Sequence, residues 1–235
     1  MPQHHQVVLN PRKLPMQARS TFTVDAIHDA TIQVLLREGK ERLTTTRVAA
    51  RAGVSVGTLY QYFPNKSALL QAALKRHLDE VASAVEQVCT QQMGKPVAEM
   101  GAALVTALLK AKMKNPKTSV ALYSVSSDLD GVKVVRQVAA RSEKAIVAML
   151  ESTCDSLIKD ARLVSLMLQG SMTGISRRLL ESSAPEKQFP SLLQELTEMV
   201  RAYLATCVNL QPDRKPGRKI EPWNRDLPQQ PYPIS

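Results

Sequence analysis

Apolar residues recur at helical spacing along most of this chain. The first stripe predicts an amphipathic helix over residues 22–38, and Gly39 is a natural stop after it. Its apolar positions follow the i, i+3, i+7, i+8 spacing that brings side chains onto one helix face: Ile27, Ala30, Val34 and Leu35.

Two short helices and one long helix are predicted next. The short ones cover residues 44–51 and 55–62, and Gly53 lies in the gap between them. Asn65 can cap the long helix, which we expect to end near Gln91. The apolar positions of the long helix again fall at helical spacing: Leu69, Leu70, Ala73, Leu74, Leu78, Val81, Val85 and Val88.

Five further helices are predicted in the rest of the chain, which makes about nine and indicates an all-α fold. Proline or glycine supplies the breaks between them. These helices are expected over about 96–114, 117–127, 131–157, 160–182 and 190–208, with breaks near Pro96, Pro116, Gly131 and between Pro185 and Pro190.

The same pattern divides the chain into four parts. Residues 1–20 lack a helical period and carry Arg12, Lys13 and Arg19, so we expect a flexible basic arm. Residues 210–235 hold six of the 14 prolines and little aliphatic material, which favours an irregular tail. The parts between them are a three-helix domain and a larger helical domain: residues 21–66 and 67–209.

Composition excludes several other classes of protein. Aromatic residues make up 4% of the 235 residues and there are nine glycines, which argues against an all-β fold. The longest apolar stretch, Met100–Leu109, is shorter than the ~20 residues that span a bilayer, and no apolar signal-peptide core is present. The three cysteines are odd in number and far apart, so no disulfide framework is expected. We therefore expect a cytoplasmic protein that does not enter the membrane.

Basic charge is concentrated near the N-terminus. The formal net charge is +10, and residues 1–70 contain nine basic and four acidic side chains, a net charge of +5. Such an excess suits a polyanion, because each phosphate that is neutralised releases condensed counterions. A solvated basic surface would carry the same charge, so charge alone does not decide for DNA.

The segment from Thr45 to Pro64 has the layout of a helix-turn-helix. Ala49 lies where a small residue lets the second helix cross the first closely, and four positions later Gly53 supplies a residue that tolerates positive φ. Ser55 can cap the second helix near Thr58. Apolar side chains that could seal the pair lie on both sides of the turn: Val48, Val54 and Leu59. The second helix of this motif enters the major groove of DNA.

Residues 22–70 resemble the DNA-binding domain of TetR/AcrR-family bacterial transcriptional regulators. The resemblance is strongest over VAARAGVSVGTLYQYFPNKSALL, residues 48–70. It implies three DNA-reading helices followed by a divergent all-α domain that dimerises and binds a small effector. On this basis we expect a homodimeric, sequence-specific regulator, a repressor that leaves a palindromic operator when its effector binds. No enzymatic activity and no cofactor are implied.

The resemblance also implies which residues contact DNA. Gln61 could pair with adenine, and Lys66 suits a phosphate near a helix N-terminus. Arg47 occupies the position where the family has an acidic residue, so the reciprocal capping box is absent. Its side chain could contact a phosphate or face the solvent. The predicted contacts are Thr44, Thr46, Arg47, Ser55, Val56, Gly57, Thr58, Tyr60, Gln61, Tyr62 and Lys66.

Two further sets of residues are assigned to the larger domain. Met and Leu among the middle helices suggest an apolar effector, with His77 or Tyr123 as polar groups; the candidates are His77, Met100, Leu104, Leu108, Tyr123 and Met149. The dimer is expected to form through stripes on the last two helices, unless these serve only the internal core: Leu163, Leu166, Met167, Gly170 and Gly174 on one, and Leu192, Leu196, Met199, Val200 and Tyr203 on the other.

Three other features of the sequence suggest different functions. Residues 53–57 match G-x-S-x-G, but a predicted helix, and not a strand, precedes Ser55, so the match to a hydrolase is accidental. No metal-ligand spacing occurs among the histidines, and free cysteines that sense oxidants are a minor possibility. A ligand-independent or architectural DNA-binding protein is the main alternative, because residues 214–219 loosely resemble a minor-groove AT-hook.

Overall fold

The computed structural model describes residues 16–127 and 129–209, with side chains from residue 20 onward apart from residues 129 and 130. The predicted tail, with its AT-hook-like run, and most of the predicted basic arm lie outside these residues. Within them, no helix is long and apolar enough to cross a membrane.

Nine helices make up most of the described residues, which confirms the all-α fold. Two short strands, β1 (Ser156–Leu157) and β2 (Val208–Asn209), pair antiparallel. The helices are α1 (Met16–Arg42), α2 (Thr45–Ala52), α3 (Val56–Tyr62), α4 (Lys66–Gln92), α5 (Val97–Met113), α6 (Pro116–Ser126), α7 (Leu129–Glu151), α8 (Ala161–Leu180) and α9 (Pro185–Ala205).

Side-chain caps explain where several helices begin. The Thr44 side chain accepts from the Arg47 backbone N–H at 3.3 Å, and Ser55 Oγ accepts from the Thr58 N–H at 2.9 Å. Asn65 caps α4 in the same way, through the Ala68 N–H at 2.8 Å. Each cap satisfies a backbone donor that has no partner inside its helix, and the caps predicted at Ser55 and Asn65 are confirmed.

The predicted boundaries fail at three places. Helix α1 begins at Met16, so residues 16–20, which we assigned to the arm, are helical; Gly39 breaks the helix as expected, with φ of 77°. Helix α7 ends at Glu151 and not near 157, because the following residues form a loop and pair as β1 with β2. Helix α9 begins at Pro185 and contains Pro190. Proline at a first helical position costs no hydrogen bond, so Pro185 starts the helix that we expected only after Pro190.

Two apolar cores run through the part of the chain that the structure describes. One is shared by the second half of α4 with α5, α7, α8 and α9. The other joins α1, α2, α3 and the first half of α4, and it also takes in residues of the larger domain: Leu122 and Val125 of α6 and Val134 of α7. The three N-terminal helices therefore share their core with α6 and α7.

Gly131 allows α7 to start close against the end of α6. A Cβ built at Gly131 would lie 2.1 Å from the carbonyl oxygen of Val125, a contact that only a backbone shift could relieve. We expect Gly131→Ala to lower the free energy of unfolding by about 1–3 kcal/mol, measured by urea denaturation. Gln137→Ala, on the exposed side of α7, is the control, with an expected change within about 0.5 kcal/mol. Equal stability of both variants would contradict the tight contact.

Candidate nucleic-acid interface

Helices α2 and α3 form a closely packed helix-turn-helix. Gly53 ends α2 in the left-handed conformation, with φ of 68°, and its N–H donates to the carbonyls of Ala49 and Ala50. The next amide, of Val54, donates to the Ala49 carbonyl at 3.1 Å. Val48 and Leu59 are fully buried between the helices. The turn and the apolar seal are those expected from the sequence.

The outer side of α3 is free to meet another molecule. Val56, Tyr60 and Gln61 are exposed on it. A Cβ at Gly57 would meet only Ser55 Oγ, at 3.8 Å, so the backbone of the helix is open to close approach there. Gln61 has no side-chain hydrogen bond among the described residues. The outer side of α3 is therefore an exposed surface whose side chains make few hydrogen bonds inside the protein; we call it the nearly uncommitted face of α3.

Other predicted contact residues are partly engaged within the protein. Thr58 is half-buried and its hydroxyl lies 2.8 Å from Ser55 Oγ. The Tyr60 hydroxyl lies 3.1 Å from Thr45 Oγ1, which holds the start of α2 beside α3. Thr44 and Thr46 are exposed on either side of Thr45, whereas Tyr62 is half-buried against the core. The start of α2 and the outer side of α3 thus form one surface.

Arg47 has a partner that the sequence did not reveal. Its guanidinium pairs with the Glu38 carboxylate and donates to the carbonyl of Arg42 at 2.8 Å, so it ties α2 to the end of α1. Arg47, which we predict to contact DNA, therefore also has partners inside the protein. Arg51 of α2 makes a second such tie to Gln33.

Lys66, at the start of α4, is anchored against the end of α1. Its ammonium donates to the carbonyl of Glu41 at 3.2 Å, and the side chain is half-buried. Lys40 of α1 reaches in the other direction, to the carbonyl of Ser124 in α6, at 3.3 Å. Both lysines line a small groove beside the end of α6.

The candidate effector residues divide into two groups. Met100, Leu104 and Met149 are fully buried and Leu108 is 9% exposed, all within the core of the larger domain. His77 and Tyr123 lie elsewhere, in a polar cluster between α4, α5, α6 and α8. The structure therefore does not bring the six candidates together around one open space.

Hydrogen bonds join most of the polar cluster. His77 Nε2 lies 3.2 Å from Ser119 Oγ, which donates to the carbonyl of Lys112 at 3.0 Å. The Lys112 ammonium donates to Ser176 Oγ at 2.8 Å. The Tyr123 hydroxyl is buried and has no hydrogen-bond partner among the described residues, and the Arg177 guanidinium lies 5.2 Å from the centre of its ring.

Burial governs the protonation of this cluster. It lowers the pKa of Lys112 to about 8 and raises the pKa of Tyr123 to about 12, because the charged form of each side chain is poorly solvated. The pKa of His77 is also lowered by burial; Glu80 raises it and Lys112 lowers it further. Near pH 7 the cluster therefore holds a cationic lysine beside neutral His77 and Tyr123.

A groove of about 860 Å³ opens between α1, α4 and the end of α5 and reaches the polar cluster. His77 forms part of its wall. Ala111 and Lys114, on either side of Lys112 in the sequence, also line it. The groove is lined by residues of mixed character, among them the carboxylates Asp25 and Asp79.

The predicted dimer stripe on α8 lies outside the core. Leu163, Leu166 and Met167 are 53%, 65% and 49% exposed, and nothing lies within 4 Å of a Cβ built at Gly170 or Gly174. On α9, Met199 is exposed and Leu192 and Tyr203 are half-buried. Leu196 and Val200 are 2% and 1% exposed, so these two of our predicted interface residues pack inside their own subunit.

Comparison with known proteins matches both parts of the chain. Residues 27–73 match the family model described as "Bacterial regulatory proteins, tetR family", and residues 96–204 match "Tetracyclin repressor-like, C-terminal domain". The transcriptional repressor KstR of Mycobacterium tuberculosis is 30% identical over 171 residues, which cover 65% of this chain and 75% of KstR. The chain belongs to the TetR family of bacterial transcriptional regulators.

Other TetR-family relatives match over shorter segments. KstR of Mycolicibacterium smegmatis is 36% identical over 38% of this chain and 43% of its own length. KstR of Rhodococcus jostii is 46% identical over 24% of this chain and 27% of its own length. The chain thus spans less than half of these two relatives.

Solved structures agree in fold at low sequence identity. A transcriptional regulator from Rhodococcus sp. Rha1 is 19% identical and has a TM-score of 0.65, covering 80% of this chain and 99% of its own. FadR from Bacillus subtilis, in complex with stearoyl-CoA, is 17% identical with a TM-score of 0.59, covering 74% and 97%. At this identity the likeness concerns the fold alone.

The hydrolase-like motif has an ordinary role in this TetR-family fold. Ser55 caps α3, and its nearest polar neighbour is Thr58. His77 is hydrogen-bonded to Ser119 and not to Ser55. The arrangement is a helix cap, and the family is one of regulators. Of the cysteines, Cys89 is buried and its pKa is raised to about 12, which makes its thiol unreactive; Cys154 is exposed.

The sequence interpretation missed Lys112, although a signal for it was present. The apolar stripe of α5 runs through Val105 and Leu108, and the next position of that stripe, four residues later, is Lys112. A lysine that continues an apolar stripe points its charge toward the core. This pattern distinguishes Lys112 from Lys110, which is exposed on the same helix.

Proposed function

We propose that this TetR-family regulator is a cytoplasmic repressor that binds a palindromic operator as a homodimer and releases it when a small effector binds. The observation that carries the DNA-binding part is the exposed, nearly uncommitted face of α3, whose opposite side is sealed by Leu59. Helix-turn-helix dimers place one such helix per subunit in successive major grooves, so a two-fold symmetric operator follows.

Gln61 and Lys66 are proposed to act differently on DNA. Gln61 offers an amide that can pair with a base edge, and Lys66 offers charge to a phosphate. Exposed Thr44 and Thr46 at the start of α2, with Tyr60 of α3, supply further backbone contacts. Arg47 is not part of this proposal, because its guanidinium is held by Glu38.

Substitution should separate the two roles. We expect Gln61→Ala to reduce discrimination between operator variants by about 1–3 kcal/mol. Lys66→Ala should weaken all sequences alike and reduce the salt slope by about one per subunit. Fluorescence anisotropy titrations at several salt concentrations measure both. Lys110→Ala, far along α5, is the control. Unchanged binding in both variants would contradict the proposed orientation of α3.

The dimer is proposed to form through α8 and α9. Three exposed apolar side chains of α8 form one stripe, and Met199 of α9 adds a fourth. Gly170 and Gly174 continue the α8 stripe and leave room for a partner helix. A groove of about 690 Å³ between the two helices, lined in part by Leu192 and Met199, could accept side chains of the partner. Burying such a stripe is what the hydrophobic effect favours in assembly.

A charge in the α8 stripe should prevent assembly. Leu166→Glu is expected to convert the protein into a monomer and to remove high-affinity operator binding, since one helix-turn-helix makes half of the contacts. Sedimentation velocity gives the oligomeric state, and circular dichroism checks that the helices remain. Glu143→Gln, on the exposed side of α7, serves as the control. A dimer in Leu166→Glu would exclude this surface.

Helix α6 is proposed to carry the effector signal. Its Ser119 and Tyr123 belong to the polar cluster, whereas its Leu122 and Val125 are buried in the core shared with α1 and the first half of α4. Any displacement of α6 by a ligand must therefore disturb that core. Helix α4 is a second connection between the two domains, because its 27 residues span ~40 Å and include both Lys66 and His77.

Release of the operator then requires only differential affinity. An effector that prefers the displaced position of α6 shifts the population away from the DNA-binding state. By linkage, the operator must weaken effector binding by the same factor. FadR of Bacillus subtilis was crystallised with stearoyl-CoA, which makes fatty acids and their coenzyme A thioesters reasonable compounds to screen.

Reciprocity gives a direct test of the switch. A compound that raises the melting temperature of the protein should be titrated by calorimetry with and without operator DNA. We expect at least fivefold weaker binding to the DNA complex, typical of allosteric coupling. A duplex of scrambled sequence is the control. Equal affinities would leave a DNA-binding protein with no such switch.

A further inference from the structure

Lys112 is a cation held inside the larger domain without a counter-charge. Its ammonium is largely buried and donates to Ser176 Oγ at 2.8 Å. Among the described residues no carboxylate lies within ion-pair distance of it. A buried cation with a single hydroxyl partner is costly, because a charge removed from water needs an opposite charge or several hydrogen bonds to compensate.

The groups around Lys112 include a second unsatisfied donor. The Tyr123 hydroxyl is buried without a hydrogen-bond partner, and both side chains face successive residues of α8, since Lys112 contacts Ser176 and Tyr123 lies under Arg177. Natural structures satisfy nearly all buried polar groups, so a buried hydroxyl without a partner and an ammonium without a counter-charge in one cluster need an explanation. An anion would satisfy both, because the ammonium and the neutral phenol both donate hydrogen bonds.

Apolar core side chains lie one helical turn from Lys112 and from its partner Ser176. Leu108 precedes Lys112 by one helical turn on α5, and Met172 precedes Ser176 by one turn on α8; both are buried in the core of the larger domain. A ligand bound between these helices would meet charge at one end and aliphatic side chains along its length. His77 belongs to both the cluster and the groove. Its Nε2 lies 3.2 Å from Ser119 Oγ, and its side chain lines the groove of about 860 Å³.

We propose that the effector of this protein is an amphipathic acid whose anionic group binds to Lys112 and the Tyr123 hydroxyl, with its apolar part against the core beside them. The proposal rests on the ligand-released function above and names the chemical class of the effector. A carboxylate and a phosphate share the required chemistry. A cationic ligand would instead be repelled by the positive charge of Lys112.

Charged side chains of both signs lie near the two donors. Arg177 adds a second cation near Tyr123, although it is paired with Glu181 at 2.8 Å. Glu80 faces the cluster through His77. No other titratable group of α4, α5, α6 or α8 contacts the two donors among the described residues. Lys112 is therefore the group whose charge a ligand in this cluster would sense most directly.

The test compares four compounds that share a ten-carbon chain: decanoate, decyl phosphate, decanol and decyltrimethylammonium. Calorimetry on the DNA-free protein at pH 7 should show binding of one or both anions at least tenfold tighter than of the alcohol or the ammonium compound. Tighter binding of decanoate would identify a carboxylate as the natural group, and tighter binding of decyl phosphate a phosphate.

Variants of Lys112 locate the anion. Lys112→Met should weaken anion binding by about 10- to 100-fold, the effect of removing a hydrogen bond to a charged group, and leave decanol unchanged. It should also raise the melting temperature, because it removes a buried charge, and this shows that the variant folds. Lys112→Arg should retain the preference for anions. Lys110→Met, an exposed lysine of the same helix, is the matched control.

The pH dependence supplies an independent reading. Since burial lowers the pKa of Lys112 to about 8, the ammonium is present below that pH and is lost above it. Anion affinity should therefore be full near pH 7 and fall by up to tenfold per pH unit above 8 in the original protein. Lys112→Met should show no such fall. Tyr123 stays neutral over this range, with its pKa raised to about 12, and the pKa of His77 is lowered, so neither titrates between pH 8 and 10.

The outcomes separate this site from the proposed switch. Lys112-dependent anion binding that leaves the operator complex intact supports the site and contradicts ligand release. Operator release by decanol and the ammonium compound as readily as by the anions, unchanged in Lys112→Met, supports release and overturns the site. Failure of both anions to bind, or equal binding to Lys112→Met, also overturns it.

Discussion

The shared apolar core between the DNA-binding helices and α6 and α7 is the contact on which the rest of the structure depends. Helices α2 and α3 contain eight and seven residues, fewer than an isolated helix needs to be stable in water. Their stability comes from burial of Val48 and Leu59 and from the side-chain caps. Because Leu122, Val125 and Val134 complete the same core, the position of the helix-turn-helix is set by the larger domain.

This sharing gives α6 two roles that cannot be separated. One side of the helix packs under the DNA-binding helices, and the other side contributes hydroxyl groups to the polar cluster around Lys112. Helix α6 has 11 residues, about three turns, so both sides belong to one short element. The polar cluster and the core of the DNA-binding helices are therefore joined by one short helix.

Electrostatics distinguishes the two ends of the molecule. In the helix-turn-helix, Arg47 and Arg51 hold α2 against α1, and the exposed side chains of α3 that we propose to contact bases carry no charge. In the larger domain, the Lys112 ammonium is largely buried and has Ser176 Oγ as its one hydrogen-bond partner among the described residues. Surface pairs of the first kind contribute little to stability, whereas a buried charge of the second kind destabilises the fold unless a partner arrives.

The sequence by itself determined the fold class, the helix-turn-helix and its caps. These features follow from local rules: apolar periodicity, a glycine at positive φ, and Ser55 and Asn65 before helices. It did not determine the partner of Arg47, the start of α9 at Pro185 or the pairing of β1 with β2. It also left open which residues of α9 face outward, and it did not reveal the cluster of His77, Lys112, Ser119 and Tyr123. Each of these depends on which side of a helix meets a neighbour that is distant in sequence, and only the packing of the nine helices decides that.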